Sequence, residues 1–244
     1  MCAVDPQLLL LLPLWYIVFL LSVTCHEAAH AWAAFRGGDT TAYLGGQVSL
    51  NPLPHVQREP FGTILVPLLS FLFFGSGSGH RWMIGWASAP YDPHWEDRHP
   101  RRAAAMAAAG PAANLLLALI GLGVLKVGLL QGIWVQPPYE ALARDQLVVL
   151  ASDGSSVWGG LGRFCSVLFS LNMILFLFNI LPIPPMDGAS ILSGLFARAR
   201  ELRERIRSTP MAGMMGLVVA WLLFPHLLGP VELFFYRWLY LWPT

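Results

Sequence analysis

Charge is scarce in this chain. Lys, Arg, Asp and Glu make up 12% of its 244 residues, about half the share of an ordinary soluble domain, while 56% are hydrophobic. So few charges cannot clothe a soluble surface, and the composition points to an integral membrane protein. The charges present nearly cancel, at a formal +1, which leaves no basic footprint for nucleic acid. Cysteine is equally sparse. Cys2, Cys25 and Cys165 have neither disulfide nor metal spacing and read as small core residues. No low-complexity linker or internal repeat divides the sequence, so a single domain over 1–244 is expected, with a core at about 8–195 and C-terminal helices at about 196–244. The apolar run at 8–24 has no basic segment before it and passes straight into HEAAH, so it reads as a membrane helix rather than a cleaved leader.

Long apolar runs are abundant. The fold class they predict is an all-α polytopic membrane protein with a core of three membrane helices, at about 8–35, 103–130 and 161–181. The first half of 103–130 is rich in Ala and Gly, which lets neighbouring helices approach closely in lipid. The β-prone Gln47–Leu50 and the glycines before it predict a short β element near 43–50. Residues 61–75 are apolar but too short for a comfortable span. Residues 131–160 read as polar loop. Pro182, Pro184 and Pro185 forbid a regular helix after the third span. Residues 189–207 read as a polar surface helix, and 211–228 and 230–242 as two apolar helices that close the chain.

The first span carries ionisable groups where lipid tolerates few. His26, Glu27 and His30 form H-E-x-x-H. Two histidines at i and i+4 share one helix face and can bind one Zn²⁺, with the Glu within reach of water at the ion. In an apolar helix such groups are costly unless paired or functional. The plain alternative is a helix end that protrudes and is hydrated. A catalytic zinc also needs a third protein ligand, and the candidates near apolar segments are Asp187, Glu59, His55, His80, His94 and His226. Asp187 follows the proline-broken helix end. It can equally be read as the N-cap of the helix starting near 189, and the residues alone leave both readings open.

Three separated motifs, HEAAH, AAGPAANLLLA and FNILPIPPMDG, together with SLNPLPHV…EPFGT and GWASAP, resemble the site-2 protease family of intramembrane zinc metalloproteases, in its compact bacterial branch without an evident PDZ-like or CBS-like domain. The likeness covers about residues 14–195. It implies one Zn²⁺ held by His26, His30 and Asp187, with Glu27 as general base. It also implies that Asn114 lies near the catalytic water or the substrate carbonyl, and that Asn179, Pro182 and Pro184 shape the substrate groove. His55 belongs to a branch motif and reads as a groove or supporting residue. Two positions depart from the branch pattern: Glu59 where an aspartate is expected, and APYDPHWED in place of KPVPVNP. Neither touches the metal set. The implied activity is hydrolysis of peptide bonds in or near transmembrane segments of membrane proteins, such as anti-sigma regulators. The partners are then a transmembrane substrate and membrane lipid. The competing readings are a zinc-binding membrane protein of this fold that does not cut, or a metal transporter.

The zinc hypothesis constrains topology. HEAAH and Asp187 both lie toward the C-terminal ends of their helices, so those helices should run parallel, with 103–130 antiparallel to both. Residues 36–102 must then begin and end on one side, so 61–75 should be re-entrant or one limb of a hairpin with 81–89. On the site side fall Arg36, Arg58, Arg81, Arg98, Arg101, Arg102, Arg198, Arg200, Arg203, Arg205 and Arg207, against Lys126, Arg144 and Arg163 on the other. The positive-inside rule then sets the metal site nearer the cytoplasm of a bacterial cell membrane, with the N-terminus outside.

Overall fold

The computed structural model describes residues 6–74, 83–138, 148–209 and 211–240. The first helix, α1, runs Pro6–Arg36. Two short helices follow, α2 (Thr41–Leu44) and α3 (Pro52–Arg58). A π-helical turn at Phe61–Leu65 leads into α4 (Val66–Phe74). Next come α5 (Pro93–Arg98) and α6 (Pro100–Leu130), then strands β1 (Trp134–Val135) and β2 (Leu150–Ala151). The remainder is α7 (Ser156–Asn179), α8 (Asp187–Leu195), α9 (Ala197–Arg207) and α10 (Ala212–Tyr240). Among the described residues four helices, α1, α6, α7 and α10, are long and apolar enough to cross a membrane.

The centre is a three-helix sandwich of α1, α6 and α7. Trp15, Val18, Phe19 and Val23 of α1 share a core with Val167, Leu168 and Leu171 of α7. Asn172 of α7 bonds Ser22, and Asp187, past the C-terminal end of α7, reaches His26 and His30 further along α1, so the two helices run parallel. Between α6 and α7 the order reverses. Gly121 lies against Cys165 and Phe169, while Asn114, earlier in α6, meets Asn172, later in α7. The close approach rests on small residues, since Ala103, Ala104, Ala107, Gly110, Ala118 and Gly121 are all buried. Dispersion between well-fitted surfaces replaces the hydrophobic effect as the force holding helices together in lipid, and small residues maximise it.

Residues 61–74 do not stand alone. Their helix is met by an extended return limb at 83–89. Trp86 N–H donates to Gly62 O at 3.0 Å, and Ser70 Oγ bonds both Ile84 N (2.9 Å) and Ile84 O (3.2 Å). The pairing is a hairpin with one helical and one extended limb. Gly62 makes the contact possible, because a Cβ there would lie 2.3 Å from Trp86 O. His80 and Arg81 lie outside the described residues, as does Arg144.

Three expectations need correction. The β element is not near 43–50. Residues 41–44 form a helical turn, Gln47 N–H folds back onto Ala42 O, and the Ser49 and Asn51 side chains take the N–H groups of Asn51 and Leu53. Local side-chain bonds thus satisfy a backbone that has no facing strand. The antiparallel pair lies instead inside 131–160, with Trp134 opposite Ala151 and Val135 opposite Leu150. The polar helix 189–207 is two helices. It begins at Asp187 and breaks at Phe196, whose φ of −125° and ψ of 124° are extended. The two C-terminal helices are one. Ala220, Phe224 and Leu228 are buried at helical spacing, and Val231, Phe235 and Leu239 continue that stripe beyond Pro225 and Pro230. One packed face in phase outweighs two missing backbone bonds, which spanning helices tolerate. α10 is nonetheless peripheral, with 17% of its most apolar window buried against 56% for α7.

On the site side, buried Asp39 ties the end of α1 to the entry of α5. Its carboxylate accepts from Thr41 N, Thr41 Oγ1 and Asp92 N at 2.9, 2.6 and 2.8 Å. Burial works to raise its pKa, but these donors prevail and hold it below the usual carboxylate range. Arg203 of α9 and Glu96 of α5 form a second tie at 2.6 Å.

Candidate metal centre

His26 and His30 lie one turn apart on α1 and face inward, both buried. Asp187 arrives from the other direction. The prolines end α7, the chain doubles back through 180–186, and α8 starts at Asp187 itself, with Met186 in the N-cap position. Asp187 makes no capping hydrogen bond, because its carboxylate is turned toward α1. Asp187 Oδ2 lies 3.2 Å from His26 Nε2 and 3.4 Å from His30 Nε2, and the two Nε2 atoms are 2.9 Å apart. The three donor atoms lie within 4.8 Å of one another. Of the five third-ligand candidates among the described residues, Asp187 alone joins the histidines. Glu59 accepts from Ser88 Oγ, His55 bonds Ser49 O, His94 and His226 are exposed, and His80 is outside the described residues.

The chemistry of these atoms fits a cation. Each imidazole Nδ1 faces an acceptor: Asn114 Oδ1 at 2.5 Å for His26, Met106 O at 2.7 Å for His30. Each ring proton therefore sits on Nδ1, which leaves both Nε2 atoms as bare lone pairs. Two Nε2 atoms and a carboxylate oxygen converge, and Asp187 Oδ2 is buried without a hydrogen bond. Such a cluster needs a positive partner, a proton or a metal cation. Space has been left for one. A Cβ at Gly110 of α6 would fall 2.3 Å from His30 Nε2 and 2.6 Å from His26 Nε2. Two imidazoles and one carboxylate are a zinc-type donor set that keeps a fourth position open.

Glu27 follows His26 on α1, is 6% exposed, and lines a cavity of about 910 Å³ with the two histidines and Asp187. The opposite walls are the return limb 83–89, the end of α7 at Leu175 and Phe178, and Leu217 and Trp221 of α10. Asn179 lines this cavity, and its Nδ2 donates to Leu175 O at 3.0 Å. The other expected groove residues fall differently. Asn114 is 0% exposed and does not reach the cavity. Its Oδ1 faces His26, and its Nδ2 donates to Asn172 Oδ1 at 2.8 Å and Ser22 O at 3.4 Å. Both its amide hydrogens are directed to α1 and α7 rather than to the cavity. His55 of α3 is 1% exposed and does not line the cavity. Of the proline run it is Pro185 that lines the cavity, whereas Pro184 lies against Gly216 of α10, and Pro182 is not on the wall.

Sequence reasoning passed over Ser22, Asn172 and Gly110, whereas the limb at 83–89 falls within the expected hairpin partner 81–89. The first two carried a usable signal, as polar side chains inside apolar runs that must find partners. Gly110 was inside a recognised motif, but only the packing reveals what its missing side chain makes room for.

A two-histidine, one-carboxylate cluster beside a glutamate, with the histidines on a spanning helix and the carboxylate on a short helix that follows another, defines a class: the membrane metallohydrolases. Within it, the model of Peptidase family M50 matches residues 14–223, and the chain belongs to that family. It is a zinc metalloprotease. Two curated proteins named "Putative zinc metalloprotease" are similar to it. YwhC of Bacillus subtilis (strain 168) is 34% identical over 186 residues, which cover 76% of this chain and 70% of YwhC. Rip2 of Mycolicibacterium smegmatis is 29% identical over 174 residues, 71% of this chain but only 54% of Rip2. No solved structure matches the chain.

Proposed function

We propose that this metalloprotease hydrolyses peptide bonds within or beside transmembrane segments of other membrane proteins. The observation that carries the reading is the position of the cavity: its metal cluster and Glu27 open between spanning helices onto apolar walls from α1, α7 and α10. His26, His30 and Asp187 hold Zn²⁺, which when bound supplies Lewis acidity toward water and the peptide carbonyl. Glu27 takes the proton of the attacking water on its carboxylate and delivers it to the leaving amide nitrogen. Asn179, the amide on the cavity wall, has a second Nδ2 hydrogen beyond the one given to Leu175 O and can donate it to the developing oxyanion.

A helical substrate cannot be cut while its carbonyls are bonded within the helix. It must be held extended, and the return limb offers the means. Ile84, Trp86 and Ser88 turn backbone groups toward the scaffold, to Ser70 Oγ, Gly62 O and Gln47 Nε2. In an extended chain the intervening residues point theirs the other way. Gly85, Ala87 and Ala89 accordingly make no backbone hydrogen bond among the described residues, and they line the cavity. An unwound substrate can add there as a strand. The test is cleavage of a transmembrane peptide in liposomes by the full chain. Ala87→Pro, which removes one N–H from the open edge, should slow cleavage by about two- to tenfold with zinc content unchanged. Equal turnover sinks the pairing. Failure of the wild type to cut any membrane-embedded peptide, while cutting soluble ones, sinks the intramembrane assignment.

The four spans put both ends of the described chain on one side and the metal cluster toward the other, where most arginines lie. We assign that arginine-rich side to the cytoplasm of a bacterial cell membrane. An impermeant label should then reach a tag at Met1 in intact cells, and protection of that tag reverses the assignment.

A further inference from the structure

The hydrogen bonds behind His26 form a chain whose direction is fixed at both ends. At one end, His26 Nε2 must keep its lone pair for the cation, so Nδ1 carries the proton and donates to Asn114 Oδ1. At the other end stand two backbone carbonyls, which can only accept. Asn172 Nδ2 donates to Leu168 O at 2.9 Å and to Ser22 Oγ at 2.8 Å, and the Ser22 hydroxyl donates to Val18 O at 2.6 Å. Between the ends, Asn172 Oδ1 accepts from Asn114 Nδ2 at 2.8 Å. Ser22, Asn114 and Asn172 are each 0% exposed and sit on three different spanning helices, α1, α6 and α7.

We propose that Asn172 and Ser22 are positioning residues that lock His26 in its metal-binding tautomer through Asn114. This rests on the assignment of His26 as a zinc ligand. An asparagine amide can rotate by half a turn at little steric cost, and such a flip in Asn114 would set its Nδ2 against His26 Nδ1–H, donor against donor. The imidazole would relieve the clash by carrying its proton on Nε2, and the lone pair that faces the metal would be lost. Asn172 is the stronger bar to the flip, because flipped Asn114 would oppose its Oδ1 to Asn172 Oδ1 at 2.8 Å, acceptor against acceptor, and only more distantly to Ser22 O at 3.4 Å. Asn172 cannot turn to follow, since its Nδ2 is held by a carbonyl and a hydroxyl. His30 needs no such relay. Its Nδ1 faces Met106 O, a backbone carbonyl that has no second orientation.

The full chain in detergent tests this through two readouts that do not require cleavage: zinc release to a chelator, and the ring ¹⁵N signals of His26 in metal-free protein. Asn172→Leu should speed zinc release by about ten- to hundredfold, the usual cost of losing a partner behind a ligand. It should also convert His26 from the Nδ1–H tautomer to a mixture while His30 is unchanged. Ser22→Ala, the milder change, should fall between that variant and the wild type and serves if Asn172→Leu does not fold. Unaltered release with unaltered His26 signals in a folded variant overturns the proposal. So does a loss of thermal stability that is equal with and without zinc and leaves the tautomer intact, the result expected if these residues only glue helices together. A wild type that binds no zinc refutes the metal assignment itself, and the two failures are thereby distinct.

Discussion

Glu27→Gln should reduce peptide hydrolysis by about 10²–10⁴-fold and leave zinc in place. The change is nearly isosteric and removes only the capacity to take and return a proton. Glu27 lines the cavity but is not one of the three convergent donors, so the donor set survives its loss. The expected combination is one zinc per chain, undiminished affinity for a chelator-competed metal, and cleavage too slow to separate from background. Each departure has a separate meaning. Turnover near the wild-type rate would remove Glu27 from the proton path and with it the mechanism. Loss of zinc would make Glu27 a ligand and displace one of the other three. A protein that only binds or carries zinc predicts little change in either measurement, so the same variant separates a protease from the transporter and binding-only readings.

Much of the architecture was written in patterns that chemistry reads locally. The spans at 8–35, 103–130 and 161–181 correspond to α1, α6 and α7 because apolar length and composition determine a spanning helix almost alone. HEAAH signalled itself because its spacing puts two imidazoles on one face. Asp187 was readable only as one of two things, and the fold explains why. It is the first residue of α8, so a capping role was reasonable, but the carboxylate direction depends on a chain reversal through 180–186 that no local rule contains. The errors have a common origin. Residues 43–50 are β-prone in composition, yet a strand needs a partner, and Ser49 and Asn51 satisfy that backbone first. Even the limb at 83–89, expected as a hairpin partner of 61–75, is held extended by Ser70 and Gly62 from 14 residues and more away in the chain, which no local pattern shows. Asn114 sits in a motif, which suggested chemistry, but its helix face meets α1 and α7 rather than the cavity. What escaped the sequence was in each case a relation between distant segments, decided by packing.

The largest effect on metal binding is expected from the smallest substitution, Gly110→Ala. The added methyl would lie 2.3 Å from His30 Nε2, 2.5 Å from His30 Cε1 and 2.6 Å from His26 Nε2. Zinc sits about 2.0–2.1 Å from a coordinating imidazole nitrogen, so the methyl and the ion compete for the same space. Two relaxations could relieve the overlap, and each harms the site. If the histidines rotate away, their lone pairs leave Asp187. If α6 withdraws, it takes Asn114 and Met106 with it, and these hold the Nδ1 protons of His26 and His30. Loss of either support alone costs about 10–100-fold in metal affinity, and α6 cannot move without weakening both, so zinc affinity should fall by more than roughly 100-fold, with cleavage falling in step. Gly123→Ala is the control. It lies on the same helix with no atom within 4 Å of its added Cβ, and alanine is the better helix former by about 1 kcal/mol, so zinc and activity should persist. Metal analysis and chelator competition on the two purified variants decide the matter. A Gly110→Ala protein that keeps one tightly held zinc would mean that the ion does not sit among His26, His30 and Asp187, and that the proton pattern at their Nδ1 atoms has some other cause.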